Sequence, residues 1–297
     1  MSRLIVNADD FGLTPGVNRA IVELHQAGVL TSTTLMARAG ATEEAIGLAK
    51  ANPALGVGCH VVLVDGEPVL PAAQVPTLID GATGKLYATL GKFLSRLLTG
   101  RMRAAEIEAE VVAQIDRLQR SGLRLTHVDT HKHTHMFPMV LEPVLRAAKA
   151  VGIGAVRNPF EPEWAVHATP RAQAMRVAEV FALRSMGPYF RRLIAKHGFA
   201  TTNGTIAVVG TGTLDADAVR SLLRNLPEGT WELVTHPGYN DADLDKVRTR
   251  LRASRDVERN ALGAIGEFPG VELISFAGVG GSCFPRSQKR DPGHPDS

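Results

Sequence analysis

Side chains able to bind a metal or transfer protons follow several short apolar runs of this sequence. They are Asp9 and Asp10 after the first run, His60, the histidine-rich stretch 127–135 (HVDTHKHTH), Arg157 and His236. In parallel α/β sheets, catalytic groups gather where strands end and loops begin. We therefore expect these side chains to meet at one end of a parallel sheet.

The histidine-rich stretch is the densest of these groups. If it is extended, a period of two places Asp129, His131, His133 and His135 on one face. Such crowding is unfavourable on a dry core face but suits a metal site or a wet catalytic mouth. Other interpretations stay open: an Asp pair is often turn or cap chemistry, a strand histidine such as His60 is often a core residue, and HxH also occurs on solvated edges.

The combination of these groups indicates more than each group alone. A carboxylate from one strand end and two imidazoles from others supply three N/O ligands, and they leave a fourth position for water, as a hydrolytic zinc site requires. An adjacent carboxylate off the metal can act as a base, and a distant histidine can act as an acid. Spacing alone thus predicts a metal hydrolase on an α/β barrel.

Strand and helix patterns alternate along the whole chain. The predicted strands are 4–7, 30–35, 56–62, 125–128, 155–157, 206–209, 232–235 and 273–276, and the predicted helices are 17–26, 43–51, 105–118, 140–150, 172–196, 216–226 and 244–265. Thr14-Pro15 and Asp215 are expected to mark helix starts. Seven or eight βα units in one unbroken series favour a distorted, TIM-like (β/α) barrel of parallel strands over an open sheet.

We predict a single domain over residues 1–285, followed by a flexible tail over 286–297 that has nothing to bury. The weakly patterned stretch 65–100 is expected to be an insertion over the barrel mouth.

Composition excludes several classes of protein. The 297 residues are 44% hydrophobic and 21% charged, which is ordinary globular composition and excludes collagenous and wholly disordered chains. Lys and Arg number 33 against 30 Asp and Glu, so the charge balance does not indicate a nucleic-acid partner. Cys59 and Cys283 form neither a disulfide framework nor a CxxC zinc motif. With no signal-peptide pattern and no membrane span, a soluble, cytoplasmic protein is expected.

Six ordered segments resemble the YdjC-like carbohydrate deacetylases, which are relatives of chitooligosaccharide and polysaccharide N-deacetylases. They are LIVNADDFGLTPGVN, GVLTSTTLM, LGVGCHVVL, THVDTHKHTHMFP, AVRNPF and ELVTHPGYND, followed by Arg255 and Glu258. The resemblance runs from residue 3 to about residue 276. VVLVDGEPVLP and VRNPFEP are most similar to the deacetylases associated with hopanoid biosynthesis.

The resemblance implies a role for each candidate residue. Asp10, His60 and His131 would bind one divalent metal ion, with Zn²⁺ as the first choice and Mg²⁺ or another divalent ion as alternatives. Asp9 would be the general base, His236 the general acid, and Arg157 would orient Asp9. His133 and His135 would form the substrate wall. Thr130 and Lys132 stand where relatives often carry Ser and His, so the substrate contacts there depart from the family pattern.

The implied reaction is hydrolysis of the acetamide of an N-acetylglucosamine group on a hopanoid glycolipid. Chitooligosaccharides such as diacetylchitobiose are alternative substrates. A metal-containing barrel that only binds a sugar or lipid is a further alternative, although it would need neither Asp9 nor His236. A two-metal phosphoesterase fits less well, because Asp129 is the only further acid near the triad. A glycoside hydrolase lacks a second isolated carboxylate pair.

The predicted helix 172–196 interleaves apolar and basic residues. It can be an ordinary packing helix. However, Gly187-Pro188 interrupts the pattern, so the second half can form a separate helix over the barrel mouth. Its basic face would then approach anionic headgroups at the inner membrane face, while Tyr189, Phe190 and Leu193 contact a hopanoid body. The oligomeric state does not follow from the sequence.

Overall fold

The computed structural model describes residues 1–266, 268 and 270–279. Its strands are β1 (Ser2–Phe11), β2 (Ser32–Leu35), β3 (Gly56–Val61), β4 (Ile79–Asp80), β5 (Lys85–Leu86), β6 (Val128–Thr130), β7 (Gly204–Ile206), β8 (Gly229–Thr235) and β9 (Val271–Leu273). The helices are α1 (Pro15–Gln26), α2 (Thr42–Ala51), α3 (Leu90–Leu98), α4 (Ala104–Arg120), α5 (Pro138–Ala150), α6 (Glu163–Ala168), α7 (Ala174–Arg184), α8 (Gly187–His197), α9 (Ala216–Arg224), α10 (Ala242–Asp245) and α11 (Ala253–Gly263).

The main sheet is parallel and curled around the core. Its seven strands follow the order β6-β3-β2-β1-β8-β7, and β9 pairs with the start of β1. Isolated parallel bridges from Val128 to Val156 and from Ala155 to Ala200 continue the curl beyond β6. This arrangement confirms the predicted α/β class and distorted barrel. The predicted strand 155–157 is reduced to these bridges.

Strand β1 is the central strand of the sheet, and its residues from Leu4 to Phe11 are buried. It pairs with β8 from Ser2 to Ala8 and with β2 towards its carboxyl end. A strand covered on both faces is a continuous apolar run rather than an alternating one. This burial explains why the apolar residues Leu4, Ile5 and Val6 follow one another without alternation before the polar residues at the end of the strand.

The helix starts follow the capping chemistry that the sequence predicts. The Thr14 hydroxyl accepts a hydrogen bond from the Val17 N–H at 3.3 Å, and Pro15 is the first residue of α1. Asp215 caps α9 by accepting from the Ala218 N–H at 2.9 Å. These caps fix the start of the helices that follow β1 and β7.

Several predicted elements have different bounds. The predicted strand 125–128 is β6 at Val128–Thr130, and the predicted strand 273–276 is β9 at Val271–Leu273. Ala207 has a left-handed backbone (φ 72°), so β7 ends at Ile206 rather than at 209. The predicted helix 172–196 is two helices, α7 and α8, with Gly187-Pro188 at the start of the second. The predicted helix 244–265 is likewise divided into α10 and α11.

The stretch 65–100 is folded rather than irregular. It contains the antiparallel pair β4–β5 and the helix α3. Glu110 on α4 accepts hydrogen bonds from the backbone N–H groups of Val69 (2.7 Å) and Leu70 (3.0 Å), which anchors the stretch to the barrel. The predicted tail over 286–297 lies outside the described residues. Among the described helices, none is long and apolar enough to cross a bilayer.

Candidate metal and catalytic site

A backbone irregularity at the end of β1 brings two adjacent carboxylates into one site. Successive residues of a regular strand point to opposite faces. Here the β1–β2 register shifts between Ala8 and Phe11, and Asp10 has a left-handed backbone (φ 67°), which Asp tolerates better than most residues. Asp9 and Asp10 therefore both face the site, and each has different partners.

The side chains of Asp10, His60 and His131 converge. Asp10 Oδ1 lies 3.5 Å from His60 Nε2 and 3.5 Å from His131 Nδ1, and the two nitrogens are 3.2 Å apart. Asp10 Oδ1 is buried and has no hydrogen-bond partner among the described residues. One carboxylate oxygen and two imidazole nitrogens form a donor set that suits a divalent cation, and the buried, unpartnered oxygen fits that use.

The histidine-rich stretch is not extended, so the prediction that Asp129, His131, His133 and His135 share one face is wrong. β6 ends at Thr130, and His131–Met136 forms a 3-10 turn. Lys132 and His133 inside the turn have left-handed backbones (φ 56° and 51°), which interrupts the period of two.

The turn gives the three histidines different surroundings. His131 reaches Asp10, whereas His135 lies 2.8 Å from Thr130 Oγ1 and 3.2 Å from the Arg157 carbonyl oxygen. His133 Nδ1 is buried and meets no hydrogen-bond partner in the described part of the chain. Burial lowers the pKa of His133 to about 3 and that of His135 to about 4, so both rings are neutral at pH 7.

Asp129 supports His60 from behind. Its two oxygens lie 2.8 and 3.0 Å from His60 Nδ1, which leaves Nε2 directed at Asp10. Carboxylates commonly orient metal-binding histidines in this way. Although burial lowers the pKa of His60, the carboxylates of Asp129 and Asp9 raise it to about 9. The sequence predicts Asp129 as a member of the histidine-rich group and as a further acid near the triad, but it does not predict the contact with His60.

Arg157 is fully buried and holds Asp9 in a two-pronged contact. Its Nη1 donates to Asp9 Oδ2 at 2.8 Å, and its Nη2 donates to Asp9 Oδ1 at 2.7 Å. The guanidinium also donates to Asp129 and, through Nε, to Glu232 at 2.8 Å. Although burial raises the pKa of Asp9, Arg157 holds it well below its usual range. Asp9 is therefore ionised and stands beside the candidate ligands.

Glu232 was not predicted as a site residue. It lies in the middle of the buried strand β8, and burial raises its pKa to about 7 despite the neighbouring Arg157. A carboxylate inside an otherwise apolar strand was the signal that sequence reasoning missed, since such a charge requires a buried partner.

His236 follows the last residue of β8 and lies close to Asp9. Its Nε2 is 3.8 Å from Asp9 Oδ2, its side chain is 13% exposed, and its Nδ1 is buried without a hydrogen-bond partner among the described residues. Thr235 at the end of β8 fixes the strand by donating from Oγ1 to the Asn7 carbonyl oxygen at 2.9 Å. The structure thus brings Asp9, Asp10 and His236 together from two neighbouring strands.

The predicted contacts on α8 divide into exposed and buried side chains. Tyr189 is 42% exposed, whereas Phe190 is 1% exposed and packs edge-on against Phe160 at 5.6 Å between ring centroids. Leu193 is also buried. The prediction that Phe190 and Leu193 offer a surface to a ligand is wrong, because both belong to the core.

The insertion reaches the same end of the barrel. Lys132, next to His131, donates to Asp65 Oδ2 at 2.6 Å. Arg248, in the loop between α10 and α11, lies 3.9 Å from the other Asp65 oxygen. Three loops therefore meet beside the candidate metal site.

A curled parallel barrel with carboxylates and imidazoles at its strand ends defines a hydrolase-type site. The YdjC-like protein family model matches residues 3–264, and the chain belongs to this family. Relatives named carbohydrate deacetylase include one from Geobacillus stearothermophilus, 37% identical over 243 residues that cover 81% of each chain. Another, from Brevibacillus brevis, is 45% identical over 158 residues, which cover 53% of this chain and 60% of that protein.

The fold has a close match among solved structures. A protein from Enterococcus faecalis, described as a candidate cellobiose-phosphate cleavage protein, superposes with a TM-score of 0.74 at 25% identity, covering 93% of this chain and 97% of that one. The family, its carbohydrate deacetylase relatives and this match agree with the family resemblance of the sequence.

Proposed function

We propose that this protein is a metal-dependent N-deacetylase that hydrolyses the acetamide of an N-acetylglucosamine group. The proposal rests on one observation: the adjacent carboxylates of Asp9 and Asp10 have different partners. Asp10 presents to His60 and His131 an oxygen without a hydrogen-bond partner among the described residues, while both oxygens of Asp9 accept hydrogen bonds from Arg157. In a metal hydrolase, one carboxylate can bind the ion while an adjacent one acts as the base.

Asp10, His60 and His131 would hold the ion, with Zn²⁺ as the proposed metal. When bound, the ion supplies Lewis-acid polarisation of the acetamide carbonyl and stabilises the negative charge that develops on its oxygen. The imidazole nitrogens must be unprotonated to act as ligands, so His60 would have to give up the proton on Nε2 in order to hold the ion.

Asp9 and His236 are the proposed proton-transfer groups. Asp9 accepts a proton from the water whose oxygen attacks the acetyl carbon. His236 donates a proton to the sugar nitrogen as the C–N bond breaks, so that acetate and an amine leave. His236 Nε2 lies 3.8 Å from Asp9 Oδ2, which supports the proposal that the acid and the base act at the same site.

Mass spectrometry of the purified protein with two substrates tests the proposal. The protein is incubated with N-acetylglucosaminyl hopanoid and, separately, with diacetylchitobiose. We propose the hopanoid glycolipid as the substrate because VVLVDGEPVLP and VRNPFEP are similar to the hopanoid-associated subgroup. Loss of one acetyl group from the hopanoid supports that choice, loss from diacetylchitobiose alone moves the substrate to chitooligosaccharides, and loss from neither contradicts the deacetylase.

Replacing His236 with Ala should reduce kcat for an acetamide by about 10²- to 10⁴-fold, because without a proton the sugar nitrogen would have to leave as an amide anion. The reduction should be much smaller for an activated acetyl ester, whose leaving group needs little protonation. Steady-state kinetics on both substrates checks this. Equal losses on amide and ester would remove His236 from the role of acid.

A lipid-linked substrate would be met at a membrane surface, and α7 and α8 support that part of the proposal. No side chain of α7 is buried, and Met175 and Phe181 are 76% and 38% exposed. Arg191 and Arg192 are exposed beside Tyr189 on α8. Exposed apolar groups flanked by basic ones suit peripheral contact with an anionic bilayer, which we place at the cytoplasmic face of the inner membrane.

Flotation with anionic and neutral liposomes tests the membrane contact. We expect the protein to float with anionic vesicles and Arg191→Glu/Arg192→Glu to float much less, since each basic residue contributes about 1 kcal/mol at an anionic surface. Arg220→Glu/Arg224→Glu on α9 is the matched control and should float like the wild type. No flotation, or equal flotation of all three proteins, would leave α7 and α8 without a membrane role.

A further inference from the structure

Helix α11 lies outside the sheet, yet it places two buried charged side chains at the site. Arg255 and Glu258 are each 1% exposed and stand three residues apart, so they project from the same face of the helix. Arg255 contacts Asp10, and Glu258 contacts the backbone of His236. One helix face therefore touches both a candidate metal ligand and the candidate acid.

Arg255 donates a hydrogen bond to one of the two carboxylate oxygens of Asp10. Its Nη2 donates to Asp10 Oδ2 at 2.5 Å, while its Nε donates to the Leu251 carbonyl oxygen at 3.1 Å. The planar guanidinium is thus fixed in two directions, which a lysine ammonium cannot reproduce. Asp10 Oδ1, the remaining oxygen, is the atom that faces His60 and His131.

Glu258 fixes the loop that carries His236. Its Oε2 accepts from the His236 N–H at 2.6 Å, and its Oε1 accepts from the Gly212 N–H at 3.4 Å. The Gly238 N–H donates to the Arg255 carbonyl oxygen at 3.3 Å, and a Cβ at Gly238 would lie 2.9 Å from Arg255 Cδ. The His236 loop is therefore seated directly on α11.

We propose that Arg255 and Glu258 are positioning residues. Arg255 leaves Asp10 with one oxygen that faces the metal site. Glu258 holds the backbone of His236 and so fixes the position of its ring relative to Asp9. The inference rests on the proposed metal-dependent deacetylation. It assigns separate tasks to two residues of one helix, so their variants should fail in different ways.

Zinc affinity and kinetics of Arg255→Met and Glu258→Gln test the inference. The dissociation constant for Zn²⁺, measured by chelator competition, should rise about 10- to 100-fold in Arg255→Met, with activity partly restored by excess Zn²⁺. Glu258→Gln should bind Zn²⁺ like the wild type and show an unchanged KM. Its kcat should be about 10- to 100-fold lower and should not recover with Zn²⁺, because a Gln side chain has one acceptor for two N–H groups.

Three further measurements keep the two tasks separable from a general loss of stability. Arg255→Lys keeps the charge and should still weaken Zn²⁺ binding, which covers the case in which Arg255→Met does not fold. Arg220→Met on α9 is the control arginine and should change neither quantity. The ring resonances of His236 in ¹⁵N-histidine NMR should shift in Glu258→Gln but not in Arg220→Met.

The role of Arg255 would be overturned if the wild type and both Arg255 variants bound Zn²⁺ with equal affinity. The role of Glu258 would be overturned if Glu258→Gln kept the wild-type kcat and the His236 resonances did not shift. Parallel losses of affinity and kcat in both variants would indicate a merely structural helix and would also overturn the inference. A wild-type protein that binds Zn²⁺ but releases no acetate would overturn the proposed function instead, while the affinities and resonances still decide the inference.

Discussion

Replacing Asp9 with Asn should reduce kcat by about 10²- to 10⁴-fold and leave Zn²⁺ content and substrate affinity close to those of the wild type. The amide cannot accept the proton of the attacking water. Arg157 retains Asp129 and Glu232 as partners, so its charge is not left uncompensated in the core. Metal analysis, kinetics and a thermal melt on the same preparation check this.

The amide side chain of the Asp9→Asn variant would present one oxygen where Arg157 now meets two. Some loss of unfolding temperature is therefore expected, and the melt separates it from the catalytic loss. Turnover near the wild-type value would remove Asp9 from the mechanism. Loss of metal together with turnover would instead make Asp9 a ligand.

Alanine at Asp10, His60 or His131 should remove metal and activity together, with activity falling about 10³-fold or more. This magnitude follows from the several kcal/mol that a metal contributes to transition-state stabilisation, at about 1.4 kcal/mol for each factor of ten. The barrel should stay folded, because its hydrophobic core is built from other residues.

His133→Ala is the matched control for the ligand variants. His133 belongs to the same turn as His131, but it is not part of the cluster around Asp10. We expect it to keep its metal. Full occupancy in His131→Ala with an empty site in His133→Ala would show that the other histidine of the turn is the ligand.

The sequence predicted the fold class and the convergence of the site, because both depend on regular features. Alternation of apolar runs and helical patterns implies a parallel sheet, and polar residues at strand ends then have to meet at one edge. Asp10, His60 and His236 lie at or near the ends of β1, β3 and β8. Their proximity follows from topology without knowledge of any side-chain rotamer.

Left-handed backbone residues and contacts between distant parts of the chain could not be predicted from the sequence. Lys132 and His133 have left-handed backbones, which interrupts the alternation of side chains between two faces that an extended stretch would show. A left-handed backbone is not favoured for Lys, so the sequence does not indicate it. Glu232 and Arg157 meet across 75 residues of chain, so only the folded sheet shows that the buried charge is paired. The packing of Phe190 in the core likewise depends on Phe160, which lies in a distant loop.

The most direct test of the central claim compares acetate release from N-acetylglucosaminyl hopanoid and diacetylchitobiose by chelator-treated protein before and after return of Zn²⁺. We predict that the treated protein releases acetate about 10³-fold more slowly and that stoichiometric Zn²⁺ restores the rate, but not in Asp10→Ala. Equal acetate release by treated and restored protein, or release by neither, would contradict a metal-dependent deacetylase built on Asp10, His60 and His131.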